Sequence, residues 1–158
     1  MADYYYNLKI LGLEIKLPVV KIKDKDFYIA SLVMFDHTEL TSKCADAFIE
    51  VLKQKFPGEC LDNFVGIEAK GIPLVQTICQ KLSPYSLYDV ESQKTGNKKF
   101  VDCVIIRKGK KEYMENPLVV EEIESITTRK PQKLVLNGLN AESIKGRRIY
   151  LIDDVVST

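Results

Sequence analysis

The sequence predicts an α/β fold: a parallel twisted sheet flanked by helices, with a small β-rich hood at the N-terminus. Three observations predict it. Short apolar runs at 64–67, 100–106 and 148–152 read as buried strands. Stretches with apolar residues at three- and four-residue spacing alternate with them and read as helices. Each run also ends in charged residues, where an open parallel sheet holds its ligands.

The chain has 158 residues, 46% hydrophobic and 28% charged, so one domain over 1–158 is expected. The hood covers 1–35 and the core 36–158. No run approaches the ~18 apolar residues of a membrane span. Met1-Ala2-Asp3-Tyr4 has neither the basic nor the apolar region of a signal peptide. A net charge of +1 gives no general pull toward nucleic acid or membrane, and neither partner is expected. Cys44, Cys60, Cys79 and Cys103 form no CxxC pair. They read as reduced, mostly buried thiols of a cytoplasmic protein.

In chain order, 4–10 and 13–17 are strand-like and Gly12 separates them. Pro18 is expected to break the second, and 21–26 to form a charged turn. Residues 27–35 read as one further strand. Thr38 is the expected N-cap of a helix whose face is Leu40, Cys44, Ala47, Phe48, Val51, Leu52 and Phe56. Pro57-Gly58 stops it. His37 reads as a surface residue beside the cap. After strand 64–67 comes the tight loop Glu68-Ala69-Lys70-Gly71, then a helix with Pro73 in its first turn. Its stripe is Leu74, Val75, Ile78, Cys79 and Leu82. Residues 94–99 form a polar loop before strand 100–106. Residues 119–127 and 133–136 are two candidate strands that would pair. A helical turn at 141–145 closes at Gly146 before the last strand. The sheet is expected to be covered on both faces.

Three segments carry chemistry. In Glu68-Ala69-Lys70-Gly71, the glycine allows close backbone approach and the next helix offers free N–H groups, which suits an anion beside Lys70. An ordinary turn with a solvated lysine is the alternative. Arg107-Lys108-Gly109-Lys110-Lys111 places four cations in five residues, either solvated or paired with an anion. Asp153-Asp154 at a strand end resists burial unless Mg²⁺, hydroxyls or cations satisfy it. The hydroxyls of Ser157 and Thr158 follow. Together the segments describe a site for a phosphorylated sugar.

The stretch Ile149-Tyr150-Leu151-Ile152-Asp153-Asp154-Val155-Val156-Ser157-Thr158 resembles the phosphoribosyl-pyrophosphate (PRPP) motif of type I phosphoribosyltransferases. Residues 64–73 resemble the pyrophosphate loop of the adenine phosphoribosyltransferase branch. Residues 104–111 resemble the strand that enters the family's flexible loop, and Ser125-Ile126-Thr127-Thr128 its returning limb. The resemblance covers about 13–158, in the family's order. The Gly-Gly-Thr, helix and strand that continue the motif are not in the sequence, so the expected core is C-terminally incomplete.

The resemblance implies a purine phosphoribosyltransferase, with adenine favoured, that joins a base to PRPP and releases pyrophosphate and a nucleoside monophosphate. It implies that Asp153 and Asp154 contact the ribose hydroxyls, and that Val155, Val156, Ser157 and Thr158 begin the 5′-phosphate loop. Glu68, Ala69, Lys70 and Gly71 would form the pyrophosphate loop. Arg107 and Lys108 would reach pyrophosphate, with Lys110 and Lys111 on a mobile loop over 108–131. Mg²⁺ would be the cofactor, bound mainly through PRPP, with no direct protein ligand expected except for Asp153 as a candidate. A homodimer is also expected. Glu124 and Tyr113 are acid–base candidates by position. Tyr4, Tyr5, Tyr6, Phe27 and Tyr28 offer stacking surface, although strand aromatics are more often core. Two alternatives stay open: a PRPP- or purine-sensing regulator of the same family without turnover, and an unrelated Mg²⁺-binding phosphoacceptor domain. A regulator of that kind would be expected to carry a DNA-binding module before residue 1, and a phosphoacceptor domain acids at several strand ends where only one clear pair is read, so the enzyme is the expected reading.

Overall fold

The computed structural model describes residues 4–22, 26–83, 100–123 and 132–155. The hood is an antiparallel sheet in the order β1-β2-β3, formed by β1 (Tyr5–Ile10), β2 (Leu13–Lys21) and β3 (Tyr28–Ala30). Gly12 turns the first hairpin at φ 75. Pro18 does not break β2, which runs on to Lys21. The Pro18 carbonyl accepts from the Ser31 N–H at 2.9 Å, one residue past the end of β3. Its missing N–H falls there too, so no ladder bond is lost. The expected strand over 27–35 is only β3, because a 3₁₀ turn forms at Met34–Asp36 and buries Met34. Tyr4, Tyr5, Tyr6, Phe27 and Tyr28 are exposed rather than core. The Tyr4 and Tyr28 rings lie 6.5 Å apart.

Helix α1 (Thr38–Lys55) begins one residue earlier than expected, with His37 as its N-cap. Its buried face is Leu40, Thr41, Ala45 and Ile49, while Phe48 and Val51 face outward. The apolar positions of α1 span more than one face, so spacing alone placed the stripe too far round. Thr41 tolerates burial because its hydroxyl reaches the carbonyls of Met34 (3.1 Å) and His37 (3.0 Å). We expect Thr41→Val to cost about 1 kcal/mol by losing them. An unchanged urea midpoint would refute this.

The core sheet is parallel, in the order β5-β4-β8: β4 (Phe64–Ile67) in the centre, β5 (Cys103–Ile106) and β8 (Tyr150–Ile152) beside it. β5 is shorter than expected because the Ser83 hydroxyl takes the Val101 amide at 2.9 Å. Helix α2 (Gly71–Leu82) buries Leu74, Val75, Ile78 and Cys79, the predicted stripe. Gly66 makes that packing possible, since a Cβ there would lie 2.5 Å from Val75 Cγ1. Phe64 stacks on Tyr150 at 5.1 Å, and Phe56 meets Tyr150 edge-on at 5.7 Å. These residues and α1 form one core cluster. The expected cover on both faces holds at the central strand, where Phe64, Val65 and Gly66 are all buried, but not at the β8 edge. Helix α3 (Gly138–Ile144) buries no residue, and Leu151 on β8 is 59% exposed.

The hairpin β6 (Leu118–Ile123) with β7 (Gln132–Leu136) pairs as the sequence predicts, with an irregular register after Val120. It docks on β5 through two backbone hydrogen bonds of 2.8 Å between Arg107 and Val135. Of the four thiols, only Cys79 is buried; Cys60 is exposed and the other two are half-buried. All four are free. No helix among the described residues is long and apolar enough to cross a membrane.

Candidate active site

The three chemical segments meet at the carboxyl ends of three adjacent strands. β4 feeds α2 and then β5 on one side, whereas β8 returns on the other. The crevice between β4 and β8 is thus the switch point of the sheet, the usual ligand position. Loop 68–71 stands on one side of it and Asp153-Asp154 on the other.

Gly71 sets their separation. A Cβ at this position would lie 2.9 Å from Asp153 Oδ1 and 3.2 Å from both Asp153 Cα and the Ile152 carbonyl oxygen. Glycine is needed here for closeness, not for an unusual φ. Asp153 Oδ1 also accepts the Asp154 amide at 2.9 Å. Burial pushes the Asp153 carboxyl above its ordinary pKa, and the Asp154 side chain adds to this. The Asp154 amide and Lys108 pull the other way without cancelling it.

Glu68 is turned toward the second cationic segment. Its Oε2 accepts the Lys108 amide at 2.8 Å, and its Oε1 meets Arg107 Nη1 at 3.3 Å. Burial alone raises its pKa. The Lys108 amide, Lys111 and Arg107 together outweigh burial and hold the carboxyl below its ordinary value. The Glu68–Ala69 peptide is cis. Lys70 donates to the Leu32 carbonyl at 3.2 Å, which ties the loop to the stretch just after β3. No signal in the sequence marks Leu32, because its contribution is a backbone oxygen. No side chain caps α2 among the described residues, and Pro73 brings no first-turn N–H of its own.

Lys108, Lys110 and Lys111 are exposed, as is Tyr113 at 64%. The segment after Arg107 has anchors that the sequence did not announce. Met114 is buried, Glu115 N–H donates to Asn137 Oδ1 at 3.2 Å, and Gly138 N–H donates to the Glu115 carbonyl at 3.0 Å. Gly138 lies so close that a Cβ would be 2.5 Å from the Asn116 carbonyl oxygen. Val155 is exposed at the strand end. Val156, Ser157, Thr158, Glu124 and the limb at 125–128 lie outside the described residues, as does the 94–99 loop.

The arrangement can accept an anion beside α2 and a hydroxyl-bearing group beside the acids. No group of three or more His, Cys, Asp or Glu gathers among the described residues. A pair of carboxylates suits a cation that phosphates otherwise hold, as Mg²⁺ often is.

No family model matches the chain. A curated relative, the hypoxanthine/guanine phosphoribosyltransferase of Methanothermus fervidus, is 31% identical over 144 residues. The match covers 90% of this chain and 62% of the relative, so the chain spans about three-fifths of that protein's length. Among solved structures, the adenine phosphoribosyltransferase of Saccharomyces cerevisiae, complexed with an imino-altritol bisphosphate and adenine, superposes with a TM-score of 0.61. That likeness covers 89% of this chain and 68% of the other at 19% identity, and it speaks for the fold. Sequence likeness to one phosphoribosyltransferase and fold likeness to another point the same way, and the chain is similar to both over most of its length.

Proposed function

We propose that this chain carries the pyrophosphate and ribose side of a purine phosphoribosyltransferase site. The supporting observation is the contact of Gly71 with Asp153, which sets an anion loop directly beside an acidic pair. Asp153 and Asp154 accept hydrogen bonds from the ribose 2′- and 3′-hydroxyls. The Ala69, Lys70 and Gly71 segment receives the pyrophosphate, with Lys70 leaving the Leu32 carbonyl. Arg107 and Lys108 face the same group. The purine nitrogen attacks C1′ as the C1′–pyrophosphate bond breaks, through a sugar cation. The cationic side chains stabilise charge growing on the leaving pyrophosphate, which is electrostatic catalysis. Mg²⁺ carried with the pyrophosphate would supply further neutralisation, and Asp153 would be the carboxylate to hold it. The exposed Lys108, Lys110 and Lys111 beside the site add positive charge for the pyrophosphate. Val155, Val156, Ser157 and Thr158 start the 5′-phosphate loop.

For the base, the loop motifs support adenine, while the 31% identity to a hypoxanthine/guanine enzyme supports the oxopurines. Pyrophosphate release from PRPP, measured with adenine, hypoxanthine or guanine in turn, separates the two. Release with none of the three, in a protein that binds PRPP, would instead favour a sensor.

The anion assignment has its own test. Lys70→Ala and Arg107→Ala should each weaken PRPP about tenfold, the low end of a charge-assisted contact, and leave purine binding unchanged. Calorimetry showing equal losses for PRPP and purine would defeat it.

A further inference from the structure

Glu68 is the one acidic side chain of the pyrophosphate loop, and its position is hard to explain as a phosphate contact. A carboxylate has no proton to donate and repels phosphate. Yet its two oxygens take the Lys108 N–H (2.8 Å) and the Arg107 guanidinium (3.3 Å). These are the donors an arriving phosphate would use, a backbone amide and an arginine fork. The Glu68 and Arg107 side chains are only 21% and 31% exposed, so the pair is partly shielded from solvent. The Glu68 amide donates to the Ile106 carbonyl at 2.9 Å, which fixes the carboxylate at the end of β5.

We propose that Glu68 is a resident counter-ion of the site. It occupies Arg107 and the Lys108 amide while no ligand is bound, and pyrophosphate displaces it from Arg107. The inference rests on the anion site proposed above. Glu68 satisfies both donors and holds the root of the 107–117 segment against the loop. Binding then exchanges one anion for another, so affinity is lower than the cations alone would give. When pyrophosphate leaves, Glu68 returns to Arg107 and favours release. Glu68 is thus a positioning residue acting through Arg107, and its charge tunes departure of the leaving group.

The test uses inorganic pyrophosphate with Mg²⁺ as the probe, titrated into wild type, Glu68→Gln, Arg107→Gln and the double variant. Glutamine keeps an acceptor for the Lys108 amide but removes the charge. Glu68→Gln should tighten pyrophosphate roughly twofold to fivefold, the upper range of a partly exposed ion pair. The gain should disappear in the Arg107→Gln background. A Glu68→Gln variant that binds equally or more weakly overturns the proposal. So does an undiminished gain without Arg107, which would reflect a general field. In the wild type, the Glu68 carboxyl ¹³C resonance should move as pyrophosphate binds. This arm needs no variant to fold, and a resonance that stays fixed at saturation overturns the exchange. If neither wild type nor Glu68→Gln binds pyrophosphate at millimolar concentration, the anion site itself fails and the counter-ion role fails with it. Binding by wild type with no response to Glu68→Gln removes the counter-ion role alone.

Discussion

Asp153→Asn combined with Asp154→Asn is expected to weaken PRPP at least about a hundredfold while leaving the fold intact. Each carboxylate that accepts a ribose hydroxyl makes a charge-assisted hydrogen bond of roughly 1.5–3 kcal/mol. Two such bonds lost together exceed the ~2.7 kcal/mol that corresponds to a hundredfold. The same change should not destabilise the unliganded protein. Burial first, and Asp154 next, raise the Asp153 pKa above its unfolded value. The native state therefore resists ionising this group, and stability falls as pH rises through that raised carboxylate range. Asparagine stays neutral and still offers an oxygen to the Asp154 amide. At pH 7 the variant should melt no lower than wild type, and any advantage should fade as the pH drops below the ordinary Asp value. Calorimetric titration with PRPP and melting curves across that range check both parts. Binding within threefold of wild type would end the ribose assignment. A melting temperature far below wild type would show that the acids hold structure instead.

The strands and α2 were legible because burial leaves a one-dimensional trace. Phe64-Val65-Gly66-Ile67 is continuous and apolar because β4 is central and buried on both faces, with Phe64 and Val65 each 1% exposed. The α2 stripe kept its period because one face of the helix meets the sheet. The misreadings have the opposite cause: tertiary partners decided them. Pro18 fits in β2 because β3 ends opposite it, which no local pattern records. Thr41 is buried through carbonyls at Met34 and His37, so a polar residue sits on the inward face of α1 while Phe48 points out. The site was legible as three separate charge clusters, since charge at strand ends is local. Their mutual arrangement was not. That Glu68 faces Arg107, that Lys70 reaches Leu32, and that Asn137 anchors Glu115 depends on contacts 39, 38 and 22 residues apart.

Gly71→Ala should impair both stability and binding, because it acts where the two halves of the site touch. The added methyl would stand 2.9 Å from Asp153 Oδ1 and 3.2 Å from two backbone atoms of β8 and its extension. The Asp153 oxygen cannot swing away freely, since it holds the Asp154 amide. The start of α2 and the end of β8 must therefore separate by some tenths of an ångström. Overpacking of this kind costs roughly 1–3 kcal/mol. For a domain of this size each kcal/mol lowers Tm by about 2–4 °C. PRPP spans the junction, with pyrophosphate on the loop side and ribose on the acidic side, so separation mispositions one relative to the other. A misplacement near 1 Å can cost about a hundredfold, and a smaller shift should cost between roughly tenfold and that limit. Gly109→Ala is the control for stability, since a Cβ there meets nothing within 4 Å and Tm should not move. Pyrophosphate alone should suffer less than PRPP, because it needs only the loop side. Equal losses for the two ligands would mean that the loop itself has been distorted. Wild-type affinity for PRPP with unchanged Tm would mean that the Gly71–Asp153 contact does not set the geometry of the site.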